Sequence, residues 1–211
     1  MIVGILNQKG GVGKTTISLS IAHALTLSHP EDEVLLVDAD PQRSALAWSD
    51  ARNGDLPFSI VGLAKKTLHR DLPKISKNYA HVVIDGAPRV TELARSCIMA
   101  SDIIIVPVQP SALDIWAAEE TIELLKEATI YKEKLKYCFA INRKVVNTAI
   151  GRDVANVLNT FDMKVLKSCI SQRIIFAETV GEGKTVFDVD RNSKASQEMR
   201  AFTNELLTWG N

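Results

Sequence analysis

Short, strongly apolar runs alternate with longer amphipathic stretches along this chain of 211 residues. The runs are rich in Val and Ile, and several are apolar throughout, which is typical of strands covered on both faces. We assign strands to the runs at 1–7, 33–40, 58–63, 81–88, 102–110, 136–142 and 164–170. The run at 58–63 is the weakest of these, because Pro57 and Gly62 could equally mark a loop.

Helical patterns separate the runs, so the order of elements constrains the topology. They cover roughly 15–28, 42–52, 67–78, 91–100, 112–131, 149–161, 172–182 and 194–209. This alternation predicts right-handed crossovers and an α/β fold, a doubly wound, mostly parallel sheet flanked by helices. Because the sequence contains no repeat, low-complexity tract or linker, we expect a single domain over residues 1–211. Ligands of such sheets bind at the carboxyl ends of the strands.

The stretch NQKGGVGKTT at 7–16 lies between the first predicted strand and the first predicted helix. That context is typical of a phosphate-binding loop, in which glycines allow close approach of the backbone and the helix dipole favours an anion. The stretch departs from the usual pattern G-x-x-x-x-G-K-[ST], because Gln8 replaces the first glycine and a second lysine, Lys9, follows it. We expect Lys14 to reach the β- and γ-phosphates, Thr15 to bind Mg²⁺ and Thr16 to contact the α-phosphate.

Acidic residues end two of the predicted strands. Asp38 and Asp40 lie in LLVDADPQ, and Asp85 lies in VVIDGAP. Mg²⁺ takes oxygen ligands and keeps several waters, so these acids are candidates for holding a Mg²⁺-bound water or for orienting an attacking water. A single acid at a strand end is otherwise a helix N-cap or a turn former.

The order and spacing of KGGVGKTT, VLLVDADPQ, VVIDGAP and IIIVPVQPS resemble those of the deviant-Walker ATPases of the ParA/MinD superfamily. The resemblance extends over the whole chain and is greatest to small plasmid-type ParA partition ATPases, since DADPQ favours that branch. It implies a P-loop NTPase fold with ATP and Mg²⁺ as cofactors. One departure is DGAPR, where many relatives have a further acid or D-x-P-P; it is confined to the loop after Asp85.

The resemblance also implies a role for individual residues. Lys9 would cross a dimer interface to the phosphates bound by the other subunit and stabilise charge in the transition state, as an arginine finger does. Asp40 would position the hydrolytic water, and Asp38 and Asp85 would lie in the outer sphere of the Mg²⁺. The expected phosphate-binding residues are Lys9, Gly10, Gly11, Val12, Gly13, Lys14, Thr15 and Thr16. Asn142 and Arg143 would contact the adenine.

A partition ATPase of this kind would form a homodimer on binding ATP, bind nonspecific nucleoid DNA and be stimulated by a ParB-like partner. The charges of this chain balance at 25 basic and 25 acidic residues, so a contact with DNA would require a local basic patch. The candidates are Arg143, Lys144, Arg152, Lys164, Lys167, Arg173, Lys184, Arg191, Lys194 and Arg200. Because the chain begins at the first strand, we expect it to lack the N-terminal DNA-binding extension of larger ParA proteins.

The other functional classes of the superfamily require features that this sequence lacks. A MinD-like membrane ATPase would end in a basic amphipathic helix, whereas Met199, Phe202, Leu206 and Trp209 form a stripe better suited to a core. A nitrogenase-reductase-type carrier wants closely spaced cysteines, and the three here are far apart. A ligase or kinase would need an added substrate pocket. The sequence contains no secretory signal or membrane span, so we expect a cytoplasmic protein with no membrane partner. The resemblance to partition ATPases implies that it associates with the nucleoid. A ParA-like ATPase that positions a protein cargo stays open.

Overall fold

The computed structural model describes residues 1–89, 92–146 and 148–210, without the side chains of 149–152. Its described strands are β1 (Ile2–Ile5), β2 (Val34–Asp38), β3 (Ser59–Gly62), β4 (His81–Asp85), β5 (Ile103–Val108), β6 (Lys136–Ile141) and β7 (Lys164–Val165). They form a seven-stranded sheet in the order β3-β2-β4-β1-β5-β6-β7, and every strand pair in it is parallel. The doubly wound α/β fold predicted from the sequence is confirmed.

Helices connect the strands and cover both faces of the sheet. They are α1 (Lys14–Ser28), α2 (Ser44–Ala51), α3 (Leu68–Ile75), α4 (Glu92–Ala100), α5 (Ala112–Thr129), α6 (Ala149–Leu158), α7 (Ile175–Gly181), α8 (Val186–Val189) and α9 (Lys194–Gly210). A 3-10 turn at Asn159–Phe161 continues α6. The prediction of a helix at 91–100 is confirmed from Glu92 onward, and Thr91 lies outside the described residues.

Two elements differ most from the sequence prediction. The strand predicted at 164–170 is regular only over β7, although the amides of Leu166 and Ile170 still donate to carbonyls of β6. Helix α8 was missed, because four residues are too few to show a helical period. Its local signal is a capping box: the Thr185 hydroxyl accepts from the Phe187 amide, and Asp188 accepts from the Thr185 amide.

The core consists of two apolar layers, one on each face of the sheet. Alternate residues of a strand enter opposite layers: Leu36 packs with α1 and α9, whereas Leu35 and Val37 pack on the other face. Met199, Phe202 and Leu206 of α9 are fully buried, and Trp209 packs against the same layer. The prediction that this stripe faces the core is confirmed, and burial of each such side chain contributes about 1.5–3 kcal/mol.

A buried histidine makes the stability of this layer depend on pH. His23 of α1 pairs through Nδ1 with the Thr185 hydroxyl at 2.7 Å, and burial lowers its pKa to about 4. The unfolded chain, with a pKa of about 6.5, therefore takes up this proton first, and stability is lost as the pH falls from about 6.5 towards 4. We expect the titration of His23 to lower the free energy of unfolding by about 2 kcal/mol between about pH 7 and pH 5.

Urea unfolding of the parent protein and of His23→Gln at both pH values checks this prediction. The difference between the two proteins isolates His23 from the other titrating groups. A smaller drop in the unfolding free energy is expected for His23→Gln, and an equal drop in both proteins would contradict the assignment.

Candidate functional site

The glycine-rich stretch forms a tight turn between β1 and α1. Gly11 and Gly13 have φ angles of 77° and 93°, in the left-handed region that disfavours a side chain. A Cβ on Gly13 would also collide with the side-chain amide of Asn142. Because Gly13 is the residue before the first turn of α1, the backbone amides at this helix start are held at the carboxyl edge of the sheet.

Lys14 lies in the first turn of α1 and is buried. Its ammonium donates to the carbonyl oxygen of Lys9 at 3.2 Å. Burial lowers the pKa of Lys14, while the nearby carboxylates of Asp85 and Asp40 oppose that shift. A buried cation whose one hydrogen-bond acceptor among the described residues is a neutral carbonyl favours an added anion, which fits the predicted role of Lys14 in binding phosphate oxygens.

Asp85 ends β4 and lies below this turn. One carboxylate oxygen accepts from the Ser18 hydroxyl at 3.2 Å, and the other, Oδ2, is buried with no hydrogen-bond partner among the described residues. Burial raises the pKa of Asp85 to about 7, although the Thr15 hydroxyl and the Lys14 ammonium act against it. An orphaned carboxylate oxygen beside a threonine hydroxyl fits a Mg²⁺-bound water.

Asp38 is the register partner of Asp85 on the neighbouring strand, but its environment differs. Its Oδ2 accepts from the amides of Ala45 and Leu46 at 2.9 and 3.0 Å, and Oδ1 accepts from the Asp40 amide at 3.1 Å. Burial still raises its pKa. Asp38 therefore anchors the first turn of α2, the helix-capping alternative, and its remaining lone pairs face the same edge of the sheet as Asp85.

Asp40 lies in the loop that follows β2 and is half-buried. One of its carboxylate oxygens accepts from the Gln42 amide at 2.9 Å, which holds the side chain in the loop. Asp38 and Asp40 line the same open cleft. The role of Asp40 in positioning a water stays a prediction.

Lys9 is bound within its own chain. Its ammonium lies 2.8 Å from the Oδ2 atom of Asp114, in the first turn of α5, and the two side chains are 37% and 4% exposed. The other oxygen of Asp114 is buried without a hydrogen-bond partner in the described parts of the chain. Asp114 was not predicted from the sequence, because it lies 105 positions from Lys9 and carries no motif.

Asn142 and Arg143 follow β6 and line a cavity of about 400 Å³ beside Gly13 and Thr16. The Asn142 amide donates to the Val12 carbonyl at 2.7 Å, so its side chain braces the glycine-rich turn. Its oxygen accepts from the Arg143 amide at 2.9 Å. The cavity has the size of a site for a small-molecule ligand, and its position places a ligand directly beside α1.

The opposite wall of this cavity was not recognised from the sequence. It is formed by the loop from Ile170 to Ile174 and by Phe176, Ala177 and Val180 of α7. Glu198 of α9 holds this loop, because it accepts from the Ser171 amide and hydroxyl at 3.1 and 2.9 Å and from Arg173 at 2.6 Å. The sequence indicated a helix from residue 172, whereas α7 begins at Ile175.

The candidate basic patch is not uniform. Arg173 pairs with Glu198 at 2.6 Å and Lys184 pairs with Glu182 at 2.8 Å, so these two cations are partly neutralised. Lys144 lies 3.9 Å from the Cys169 sulfur, and Arg200 donates to the Arg191 carbonyl. The exposed members are Arg143, Lys164, Lys167, Lys184, Arg191 and Lys194. The side chain of Arg152 lies outside the described residues.

The three cysteines occupy positions typical of small apolar side chains. Cys97 and Cys138 are fully buried in opposite core layers, and Cys169 is half-buried. Burial raises the pKa of Cys97 to about 12 and also raises that of Cys138, so both are protonated thiols at neutral pH. Cys97 and Cys138 are therefore poor cluster ligands.

Known proteins are similar to this chain over most of its length. A family model described as the CobQ/CobB/MinD/ParA nucleotide binding domain matches residues 3–186. The maintenance of carboxysome distribution protein A from Halothiobacillus neapolitanus is 31% identical over 210 residues, which cover 97% of this chain and 95% of that protein.

Solved structures show the same fold at lower sequence identity. The MinD cell division protein of Aquifex aeolicus is 20% identical with a TM-score of 0.78, covering 99% of this chain and 97% of that one. The cobyrinic acid a,c-diamide synthase of Mycobacterium smegmatis, with bound ADP and magnesium, is 23% identical with a TM-score of 0.75. The match covers 98% of this chain and 93% of that one.

Proposed function

The chain belongs to the CobQ/CobB/MinD/ParA nucleotide-binding family, and from that premise we propose that it is a Mg²⁺-dependent ATPase that dimerises on ATP and binds nonspecific DNA. The ATP dimer would segregate or position a cargo along the nucleoid, and a ParB-like or adaptor partner would stimulate hydrolysis. The observation that carries this proposal is the convergence of Lys14, Thr15 and the orphaned Asp85 oxygen at the start of α1. The cavity walled by Asn142 adjoins them.

The residues at this site divide the work of binding and hydrolysis. The amides from Gly10 to Thr16 and the Lys14 ammonium would hold the phosphates, and the nucleoside would enter the cavity beside Asn142 and Arg143. The Thr15 hydroxyl, with Asp85 and Asp38 acting through waters, would hold Mg²⁺, which when bound offsets phosphate charge. The M. smegmatis synthase, which has the same fold, contains ADP and magnesium.

Asp40 and Lys9 would complete the site for hydrolysis. Asp40 would orient the attacking water, and Lys9 would contact the phosphates held by the second subunit, where it offsets the charge of two facing nucleotides. Lys9 must leave Asp114 to do so. The ion pair therefore competes with dimerisation.

We expect Asp114→Asn to tighten the ATP dimer by roughly 5- to 150-fold, because each of the two subunits no longer gives up an ion pair worth about 0.5–1.5 kcal/mol when its Lys9 crosses. Sedimentation equilibrium with a nonhydrolysable ATP analogue measures the change. Glu119→Gln is the matched control, since Glu119 is an exposed acid on the same helix. An unchanged or weaker dimer in Asp114→Asn would contradict the competition.

Binding to a random-sequence DNA duplex tests the proposed function. It is measured with ATP, with ADP and without nucleotide, at two salt concentrations, for the parent protein, Lys14→Ala and the exposed-lysine control Lys77→Ala. We expect binding only with ATP, weakened by salt because phosphate contacts release counterions, and lost in Lys14→Ala alone. Failure in every nucleotide state, with ATP dimerisation intact, would overturn the DNA-binding part of the proposal.

The fold argues against the alternative hypothesis of a MinD-like, membrane-associated ATPase. No helix within the described residues is long and apolar enough to cross a membrane. The apolar face of α9 is packed into the core through Met199, Phe202 and Leu206, so it is not available to a membrane surface.

A protein assembly is a second candidate for the cargo. The observation in its favour is the 31% identity to a protein named for maintaining carboxysome distribution. The two cargoes would use the same ATP switch and differ in the partner that stimulates hydrolysis. Affinity capture on the immobilised ATP dimer, with the ADP form as control, distinguishes a DNA-bound partner from a protein-assembly adaptor.

A further inference from the structure

A second cluster of polar side chains lies at the opposite end of the sheet from the glycine-rich turn. His29 follows the last residue of α1, Asp32 lies in the loop before β2, and His81 is the first residue of β4. Helix α1 has 15 residues, so this cluster is about 22 Å from Lys14 at a rise of 1.5 Å per residue. The proposed ATPase cycle does not use these three side chains.

The ligand atoms of the three side chains converge. One atom from each, a ring nitrogen of His29 and His81 and a carboxylate oxygen of Asp32, lie within 4.8 Å of one another. His81 Nε2 lies 3.4 Å from Asp32 Oδ2, and the two imidazole rings are 5.5 Å apart between centroids. The Asp32 amide donates to the His29 carbonyl at 3.0 Å, which fixes the loop that brings them together.

The three side chains have the chemistry of a metal site. Imidazole nitrogens and carboxylate oxygens are common ligands of transition-metal ions, and the His81 ring is half-buried. Its Nδ1 atom is buried with no hydrogen-bond partner in the described part of the chain. The remaining histidines are occupied, since His23 pairs with Thr185 and His69 with Ser96.

We propose that His29, Asp32 and His81 bind a divalent transition-metal ion, best matched by Zn²⁺. Two imidazole nitrogens and one carboxylate oxygen are the ligand types that Zn²⁺ takes at about 2.0–2.2 Å, whereas Mg²⁺ and Ca²⁺ take oxygen ligands. Tetrahedral ligands at such distances lie about 3.3 Å apart, so the cluster contracts by about 1.5 Å at most. His29 is exposed and follows the end of a helix, so its side chain supplies this movement.

Metal binding here would fasten the end of α1 to the start of β4. These two elements carry Lys14 and Asp85 at their other ends, so the ion would stabilise the framework of the phosphate site without contacting it. Since an ion that binds only the folded state stabilises it, thermal unfolding should shift upward with added Zn²⁺.

The test is titration of tag-free, nucleotide-free protein with Zn²⁺ by calorimetry, in the presence of millimolar Mg²⁺ to compete with Zn²⁺ at Asp38 and Asp85. Co²⁺ absorption reports coordination by nitrogen and oxygen ligands independently. We expect one Zn²⁺ per chain, an upward shift in Tm, and at least about a 10-fold loss of affinity in His29→Ala, Asp32→Asn and His81→Ala. Glu31→Gln, a neighbouring exposed acid, and Lys14→Ala should bind Zn²⁺ as the parent does.

His29→Ala and Asp32→Asn decide the matter if His81→Ala fails to fold, because both positions are more exposed than His81. Equal Zn²⁺ affinity in these variants and the parent would overturn the proposal. So would a parent protein that binds Zn²⁺ no better than millimolar, or binding that is lost in Lys14→Ala.

Discussion

Lys14→Ala is expected to lower ATP affinity by at least about 100-fold, or about 2.7 kcal/mol, with a matching loss of ATP hydrolysis. The Lys14 ammonium is buried and has only one neutral acceptor, the Lys9 carbonyl, in the described structure. Its charge-assisted bonds to phosphate would therefore form with little competition from water. Calorimetric titration with ATP and Mg²⁺ measures the affinity.

The same variant should not lose stability. Removing a desolvated cation relieves part of the cost of burying it, so the urea midpoint is expected to stay equal or rise. Lys77→Ala serves as the control, since Lys77 is exposed in the segment between α3 and β4. Parent-like ATP affinity in Lys14→Ala would show that the glycine-rich turn is not the phosphate site.

Asp85→Asn is expected to raise the stability of the metal-free protein and to abolish Mg²⁺-dependent hydrolysis. The folded pKa of Asp85 is about 7, and the unfolded value is 3.8, so the folded state holds the proton more tightly. Stability contributed by the protonated form is full below about pH 4 and is lost as the pH rises through 7. Above pH 7 the folded protein contains a buried charge that asparagine removes.

The gain for Asp85→Asn should be up to about 4 kcal/mol at about pH 8 and small near pH 4. Urea unfolding with a chelator at both pH values measures it, and Asp50→Asn, an exposed acid on α2, is the control. Lower stability of Asp85→Asn at both pH values would refute this account. The Asp85 oxygen that lacks a hydrogen-bond partner lowers the stability of the fold, and the same oxygen is available to a Mg²⁺-bound water.

Local patterns explain which features were predictable from the sequence. The glycine-rich turn is made of consecutive residues, and the conformations of Gly11 and Gly13 are properties of those residues themselves. Asp85 was recognisable because it follows the apolar residues at 82–84 of its strand, and strand ends meet at one edge of a parallel sheet. The strand at 58–63 was confirmed as β3 even though Pro57 and Gly62 favoured a loop equally, because its pairing with β2 decides the matter.

Hydrogen bonding explains why the acids could not be told apart from the sequence. Asp38 and Asp85 occupy equivalent positions on neighbouring strands. The difference is that α2 starts with its amides directed at Asp38, while Asp85 Oδ2 has no donor among the described residues. Such a difference depends on where a helix docks, and a strand pattern contains no information on it.

By itself the sequence determined the alternation of strands and helices, the glycine-rich turn and the acids at the strand ends, because these depend on neighbours along the chain. Tertiary structure alone decided that Lys9 pairs with Asp114, that Glu198 holds the loop at Ser171, and that His29 and His81 converge. Each of these contacts joins residues far apart in sequence. They form only when packing of the two apolar layers brings separate elements together, so no local period or spacing encodes them.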